Sequence, residues 1–186
     1  MTDVQLILSA QQGDMKAFEE LVCRYDRQVL NIARSFKNND DDAKDIYQEV
    51  FMRVYKGLKN FEFKSEFSTW LFRIATNVCI THQSRRRGHE SLDREFDYED
   101  DKSTVADFIA GESRTDSSTI GADIMAHINK AVEKLPPQQK MVFVLKYFQE
   151  YKIREIAQIM NCKEGAVKKY LFIATNKLRD HLKNVF

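Results

Sequence analysis

Apolar residues recur every three or four positions through most of this 186-residue chain, and this spacing limits the fold more than any other feature. Residues three and four apart share one face of a helix, so the spacing predicts amphipathic helices. With only two prolines and six glycines, the chain also has few turn formers. We therefore predict an all-α protein with helices over about residues 4–11, 14–36, 41–59, 68–86, 120–134 and 137–148, then two more between 151 and 182.

The helical pattern stops between residues 88 and 119, where Asp, Glu, Ser and Thr dominate. This segment has 3 basic and 10 acidic residues and a net charge of −7, against +2 for residues 1–87 and +6 for residues 120–186. Such a composition buries too little apolar surface to offset the entropy lost on ordering. We predict two small helical domains, 1–87 and 120–186, joined by an acidic flexible linker, 88–119. The linker is either a solvated spacer or an acidic segment that mimics nucleic acid in a partner's basic channel.

Several functional classes are disfavoured by what the sequence lacks. It has no run of about 18 apolar residues, so no membrane insertion is expected. Three widely spaced cysteines, Cys23, Cys79 and Cys162, favour a reduced cytoplasmic protein over a disulfide framework. There is no glycine-rich phosphate loop, no close His/Cys cluster and no Ser/His/Asp constellation. We therefore expect no enzyme activity, no metal, no cofactor and no small-molecule substrate.

The stretch FEFKSEFSTWLFRIATNVCITHQSRRR, residues 61–87, combines aromatic rings with a basic end. Aromatic side chains stack on unpaired bases, and a cationic stripe follows the phosphate backbone. Core packing is the alternative for each ring, since large apolar side chains are mostly buried. For Trp70 both interpretations stay open. The combination indicates nucleic-acid binding.

Residues 151–182 carry the pattern of a helix-turn-helix. Two short amphipathic helices flank the turn Asn161–Lys163, where Asn161 can adopt the left-handed conformation. If the apolar face of the second helix is buried, Lys168, Lys169 and Phe172 project outward. Lysines suit phosphates, and Phe172 suits a thymine methyl or sugar contact. The pattern predicts a DNA-binding module.

Three motifs in this order resemble the extracytoplasmic-function (ECF) sigma factors, the small two-domain members of the sigma-70 family. They are DAKDIYQEVFMRVYKGLKNF, FSTWLFRIATN and the run from LPPQQKMVFVLKYF to EIAQIMNCKEGAVKKYLF. The resemblance extends from about Gly13 to Leu182. It implies a subunit that binds RNA polymerase core, reads the −35 element of promoter DNA as duplex, and melts and reads the −10 element. It also implies an anti-sigma factor as a partner.

The resemblance assigns residues to each contact. A D-x-x-Q-E helix that docks on core polymerase corresponds to Asp45, Gln48 and Glu49, with Phe51 and Arg53 beside them. The −10 contacts correspond to Phe61, Lys64, Trp70, Arg73, Asn77, Thr81, Arg85 and Arg86. The −35 contacts correspond to Lys163, Lys168, Lys169 and Phe172.

The chain departs from the family in its recognition helix, where KYLFIAT replaces an arginine-rich stretch. Ile173 and Thr175 stand where arginines are common, so phosphate contacts must depend more on lysines. The departure puts the −35 sequence in question. The alternative function is a helix-turn-helix transcriptional regulator without sigma activity, but it leaves the motifs of residues 45–49 and 61–70 without a purpose.

Overall fold

Helices make up all the regular secondary structure of the residues that the computed structural model describes, which are 1–37, 39–86 and 120–183. The predicted all-α class is confirmed, and the acidic linker with its two interpretations lies outside the described residues. No helix in these ranges has both the length and the apolar character needed to span a membrane. In chain order the helices are α1 (Asp3–Gln11), α2 (Met15–Lys37), α3 (Asp40–Leu58), α4 (Phe67–Arg86), α5 (Ile120–Glu133), α6 (Pro137–Phe143), a π-helical segment (Val144–Phe148), α7 (Ile153–Ile159) and α8 (Glu164–Lys183).

Local side-chain chemistry explains where several helices begin. Oδ1 of Asp14 accepts hydrogen bonds from the backbone N of Lys16 at 3.0 Å and of Ala17 at 3.3 Å, and so caps the start of α2. Asn39 caps α3 in the same way, with its Oδ1 3.0 Å from the N of Asp41. Pro137 is the first residue of α6, where proline costs no helical hydrogen bond.

Helices α1 to α4 pack around a common apolar interior. Its largest fully buried side chains include Leu6, Leu21, Phe36, Ile46 and Leu71. The α1 helix is also joined to the α3–α4 loop by polar contacts. Nε2 of Gln11 donates hydrogen bonds to the carbonyls of Leu58 and Phe61, both at 2.9 Å. These bonds hold the loop that precedes α4 in place.

The C-terminal helices contain one feature that the spacing did not predict. Residues 137–148 were expected to form a single α-helix, but α6 ends at Phe143 and a π-helical segment follows. The N of Gln149 bonds to the carbonyl of Val144 at 3.0 Å, a five-residue step that widens the last turn. Apolar periodicity alone does not distinguish this wider turn from a continued α-helix. Glu150, in the left-handed region at φ 59°, then redirects the chain into α7.

The two halves of the chain share one apolar core. Helix α4 packs against α6 and α7, and α2 packs against the π-helical segment. The larger buried cluster therefore includes Val78 and Cys79 from α4 together with Met141, Leu145 and Ile156. A second cluster lies within the C-terminal helices and consists of Ala131, Val132, Leu135, Phe143, Ala174 and Leu178.

Candidate functional site

An open groove of about 450 Å³ lies between α3 and the C-terminal part of α4. We call it the α3–α4 groove. Four of the five residues predicted to contact core polymerase line it, because positions three and four apart in α3 share one face. Its lining consists of Asp45, Gln48, Glu49, Met52, Arg53, Lys56, His82 and Arg85.

Phe51, the fifth predicted polymerase contact, is a core residue instead of a surface one. Its side chain is 9% exposed, and its ring packs edge-on against Tyr47 with centroids 4.8 Å apart. A partner therefore has little access to Phe51 in this structure. Glu49, Met52 and Arg53 line the groove, whereas Val50 and Phe51 face the interior.

Glu49 has two charged or polar partners in the groove. Its Oε2 lies 2.6 Å from Nε2 of His82, and its Oε1 accepts a hydrogen bond from Nη2 of Arg53 at 2.6 Å. Partial burial by itself would raise the pKa of Glu49, but the hydrogen bonds from His82 and Arg53 outweigh it and lower that pKa. Glu49 is therefore a positioned carboxylate whose orientation is set by α4 as well as α3.

His82 was not predicted to belong to the site. The resemblance assigned its neighbours Thr81 and Arg85, and the only local signal was that His82 and Arg85 lie three residues apart on α4. That spacing indicates a shared face but does not identify which helix the face meets. The contact with Glu49 depends on the packing of α3 against α4.

The predicted base-stacking residue Phe61 lies within an aromatic cluster. It is 7% exposed, and ring centroids of Phe63, Trp70 and Phe67 lie 5.1, 5.0 and 5.9 Å from its own. Trp70 is half-buried and packs close to α3, since a Cβ built on Gly57 would lie 3.1 Å from its ring. Phe61 is therefore a core residue in this structure, and its ring has no exposed face on which a base could stack.

Phe63 presents the exposed ring of this cluster, with 41% of its surface accessible. Its backbone adopts φ 57°, the left-handed region that bulky residues rarely occupy. Such strain persists only where the surrounding structure enforces it, and it often accompanies functional sites. Phe63 belongs to the aromatic stretch 61–87, and it lies in the loop next to Phe61, but it was not singled out as a −10 contact.

The polar residues predicted along α4 have different surroundings. Lys64, Asn77 and Arg85 are exposed, and Thr81 is half-buried. Arg73 is also half-buried, and its Nη2 donates to the carbonyl of Gln158 in α7 at 2.9 Å. Arg86 ends α4, and its side chain lies outside the described part of the structure.

The helix-turn-helix has the predicted geometry. Asn161 adopts φ 52° between α7 and α8, and the N of Cys162 bonds to the carbonyl of Ala157 at 2.9 Å. Val167 and Ala174 face the core with no accessible surface. The outward face of the turn and of α8 carries the four predicted −35 residues, all exposed: Lys163, Lys168, Lys169 and Phe172.

A second open space, of about 670 Å³, separates the start of α4 from the helix-turn-helix. We call it the α4–α7 cleft. Its N-terminal wall includes Lys64 and Arg73, and its C-terminal wall includes Arg154 and Lys163. Predicted contacts for both promoter elements therefore line one cavity. No group of three His, Cys, Asp or Glu side chains among the described residues is arranged to hold a metal ion.

Comparison with known families matches both halves of the chain. A model of sigma-70 region 2 matches residues 21–89, and a model of sigma-70 region 4 matches residues 127–178. The first match contains the α3–α4 groove and the aromatic cluster, and the second contains the helix-turn-helix.

Relatives align over almost the whole chain. The chain is 29% identical over 179 residues to the ECF RNA polymerase sigma factor SigW of Bacillus subtilis, covering 96% of each protein. It is 30% identical over 178 residues to the RNA polymerase sigma-H factor of Pseudomonas aeruginosa, covering 92% of this chain and 89% of that protein. The ECF sigma-E factor of Escherichia coli K12 is 30% identical over 177 residues, with 94% and 91% covered.

Solved structures show a similar fold. CnrH, in complex with the cytosolic domain of CnrY, matches with a TM-score of 0.64 at 23% identity, over 98% of this chain and 97% of that one. RpoE of Bartonella quintana, in complex with the anti-sigma factor NepR, matches with a TM-score of 0.59 at 22% identity, over 90% and 98%. Both family models and the full-length relatives lead to one conclusion: the chain belongs to the ECF group of the sigma-70 family of RNA polymerase sigma factors.

Proposed function

We propose that this chain binds RNA polymerase core through the α3–α4 groove and directs promoter-specific transcription initiation in the cytoplasm. The observation that carries the proposal is the groove itself, where Asp45, Gln48 and Glu49 lie together and Glu49 is held by two hydrogen bonds. A preoriented carboxylate loses little side-chain entropy on binding, which favours a specific polar interface. Basic groups of the polymerase are the complementary partners.

The duplex −35 element is read by α8 in this proposal. Lys168 and Lys169 follow one another on its exposed side, and Phe172 lies one turn further on. Lysines there position the helix on phosphates, while an aromatic ring contacts base edges or sugars in the major groove. Because Ile173 and Thr175 replace the family's common arginines, sequence discrimination depends more on Phe172.

The −10 element is melted and read by the surface that begins at the α3–α4 loop and continues along α4. Exposed Phe63 supplies a stacking face, Lys64 a cation and Asn77 a polar group that can recognise a base edge. An extruded base needs a ring on which to stack and a polar group that recognises its edge. Phe61 and Trp70 are not part of this surface; they pack in the aromatic cluster beneath it and hold Phe63 in position.

An anti-sigma factor is a further proposed partner. Its support is that RpoE of Bartonella quintana, which shares this fold, was solved with the anti-sigma factor NepR. The protein itself has no proposed enzyme activity, since polymerase performs the chemistry. A helix-turn-helix regulator without sigma activity is disfavoured because the relatives span both halves of the chain.

Run-off transcription tests the proposal. Core polymerase free of other sigma subunits, incubated with this protein and a library of genomic fragments, should produce transcripts that start at defined sites. Sequencing their 5′ ends should give a shared −10 and −35 pattern. Transcripts with random starts, or none above core alone, would contradict the proposed function.

A further inference from the structure

Gln11, the last residue of α1, holds the α3–α4 loop through a single side-chain amide. Its Nε2 donates hydrogen bonds to the carbonyl oxygens of Leu58 and Phe61, both at 2.9 Å. A primary amide has two N–H donors in a fixed geometry, and the two carbonyls match them in number. These acceptors lie 47 and 50 positions away in the chain. One side chain of the N-terminal helix therefore fixes two points of a loop that is distant in sequence.

The two carbonyls lie at either end of the turn that follows α3. Leu58 is the last residue of α3, and the carbonyls at a helix end lack partners within the helix. Two backbone hydrogen bonds close this turn as well. The N of Phe61 bonds to the carbonyl of Leu58 at 3.0 Å, and the N of Asn60 bonds to that of Gly57 at 3.0 Å. Since the ring of Phe61 is also buried, the chain has a defined path as far as residue 61.

Gln11 is itself held in place by the packing of α1. Leu6 and Ile7 are buried in the core, where α1 packs against α2 and α3. Directly after Gln11 the chain turns, with Gly13 at φ 98° and its N bonded to the carbonyl of Ala10 at 3.0 Å. The amide donor is therefore preorganised, because α1 is anchored by contacts other than the two loop bonds.

Phe63 follows two residues after the second of these carbonyls, and its conformation depends on how the loop is held. Its backbone is in the left-handed region at φ 57°, while its ring is exposed. A bulky residue keeps such a backbone only where the neighbouring structure enforces it. On the N-terminal side this structure consists of the Gln11 bonds and of the Phe61 ring, 5.1 Å from that of Phe63. On the C-terminal side, the buried side chain of Phe67 begins α4.

We propose that Gln11 is a positioning residue for strand opening: by holding the carbonyls of Leu58 and Phe61, it keeps the ring of Phe63 outward, where an extruded −10 base stacks on it. The inference rests on the proposed function. Gln11 does not touch DNA in this scheme, because the loop uses its amide donors. Without these bonds the loop adopts other backbone conformations, and the base has to order it on binding. Gln11 precedes the residues that match sigma-70 region 2, 21–89, so no motif of that region identifies it.

Gln11→Met tests this role, because methionine keeps the length and the apolar stem of the side chain but has no N–H donor. Core polymerase with each variant is mixed with a promoter that the native chain uses, and open complexes are measured by permanganate reactivity of −10 thymines. Open-complex formation should fall about tenfold, the scale expected for the loss of two hydrogen bonds. Binding to core polymerase and to −35 duplex should stay unchanged. Gln12→Met, the same change at an exposed neighbouring position, is the control and should match the native chain.

A double-mutant cycle with Phe63→Ala separates positioning from general stabilisation of the fold. If Gln11 acts through the ring of Phe63, the double variant should open promoters no worse than Phe63→Ala alone. A merely structural role would multiply the two defects instead. Multiplied defects, or native opening by Gln11→Met, would overturn the positioning role.

Gln11→Asn is the milder variant, since it keeps the amide but is one methylene too short to hold both carbonyls at 2.9 Å. It takes the place of Gln11→Met in the same cycle if the methionine variant does not fold. If the native chain initiates no transcription with core polymerase, the proposed function fails and this inference with it. If the native chain initiates transcription and folded Gln11 variants open promoters equally well, the positioning role alone is wrong.

Discussion

Nε2 of His82 lies 2.6 Å from Oε2 of Glu49, and this contact connects α4 to α3 across the groove proposed to bind polymerase. Arg53 holds the other carboxylate oxygen at the same distance. Because both oxygens have partners, the carboxylate has a defined orientation before any partner arrives. His82, which no motif identified, thus positions Glu49, which the resemblance assigned to polymerase binding.

Charge reversal in the groove should weaken polymerase binding. Asp45→Lys with Glu49→Lys should cost a few kcal/mol of core affinity, the scale of lost interface hot spots, measured by titration with labelled core enzyme. The control is Glu19→Lys with Asp26→Lys, which makes the same charge change on exposed positions of α2. Equal affinities for the two folded variants would contradict the placement of the interface.

Replacing His82 should change the ionisation of Glu49. In His82→Ala, burial remains but one lowering hydrogen bond is lost, so the pKa of Glu49 should rise from its lowered value. Carbon-13 NMR of the Glu49 carboxyl measures this directly. Core affinity should also fall, and His82→Gln, whose amide can still donate, should restore part of it. An unmoved Glu49 titration would show that the contact has no electrostatic effect.

The same contact predicts a pH dependence of stability. The folded-state pKa of Glu49 is lowered, so its contribution is present above the unfolded pKa and is lost as pH falls through the folded pKa. Because the pair is partly exposed, the effect should be below about 1 kcal/mol. Urea unfolding between pH 3 and 6 should show a smaller acid-side loss for His82→Ala than for the native chain.

The lysines of α8 should set the salt dependence of promoter binding. Lys168→Ala and Lys169→Ala should each reduce the slope of log affinity against log salt by about one. Phe172→Ala should alter sequence preference with little change in slope. Lys134→Ala, at an exposed position just after α5, is the control. Constant slopes in both lysine variants would mean that these side chains do not contact phosphates.

Strand opening is best probed at Phe63 and Asn77, which are exposed. Each substitution by alanine should spare −35 duplex binding but reduce open-complex formation, by roughly 1–3 kcal/mol for the lost ring. Permanganate reactivity of −10 thymines is the measurement, and a pre-melted template should recover part of the Phe63→Ala defect. Native thymine reactivity in both variants would refute this site.

Phe61→Ala is a poor probe of melting, although motif position favoured it. Its ring is packed among Phe63, Phe67 and Trp70, so its removal should destabilise the fold by about 3–5 kcal/mol. Thermal unfolding should show this loss, and a stability close to that of the native chain would contradict the buried position. Trp70→Ala should behave similarly.

The amino-acid sequence by itself determined the local features of this protein. Apart from the π-helical segment within residues 137–148, apolar spacing predicted the helices to within a few residues, and Asn161 took the left-handed turn. The outward face of α8 followed as well, because burying Val167 and Ala174 leaves Lys168 and Lys169 exposed. Each of these depends on residues within a few positions of one another, so propensity and periodicity suffice.

Only the tertiary structure decided which side chains meet across helices. Phe61 is buried and Phe63 exposed, although they are two residues apart. His82 contacts Glu49, and Arg73 contacts Gln158, which is 85 positions away in the chain. Helical spacing specifies which face a residue occupies, but the facing partner depends on how whole helices pack. Lys64 and Arg73 face Lys163 across the α4–α7 cleft for the same reason, because α4 packs against α6 and α7.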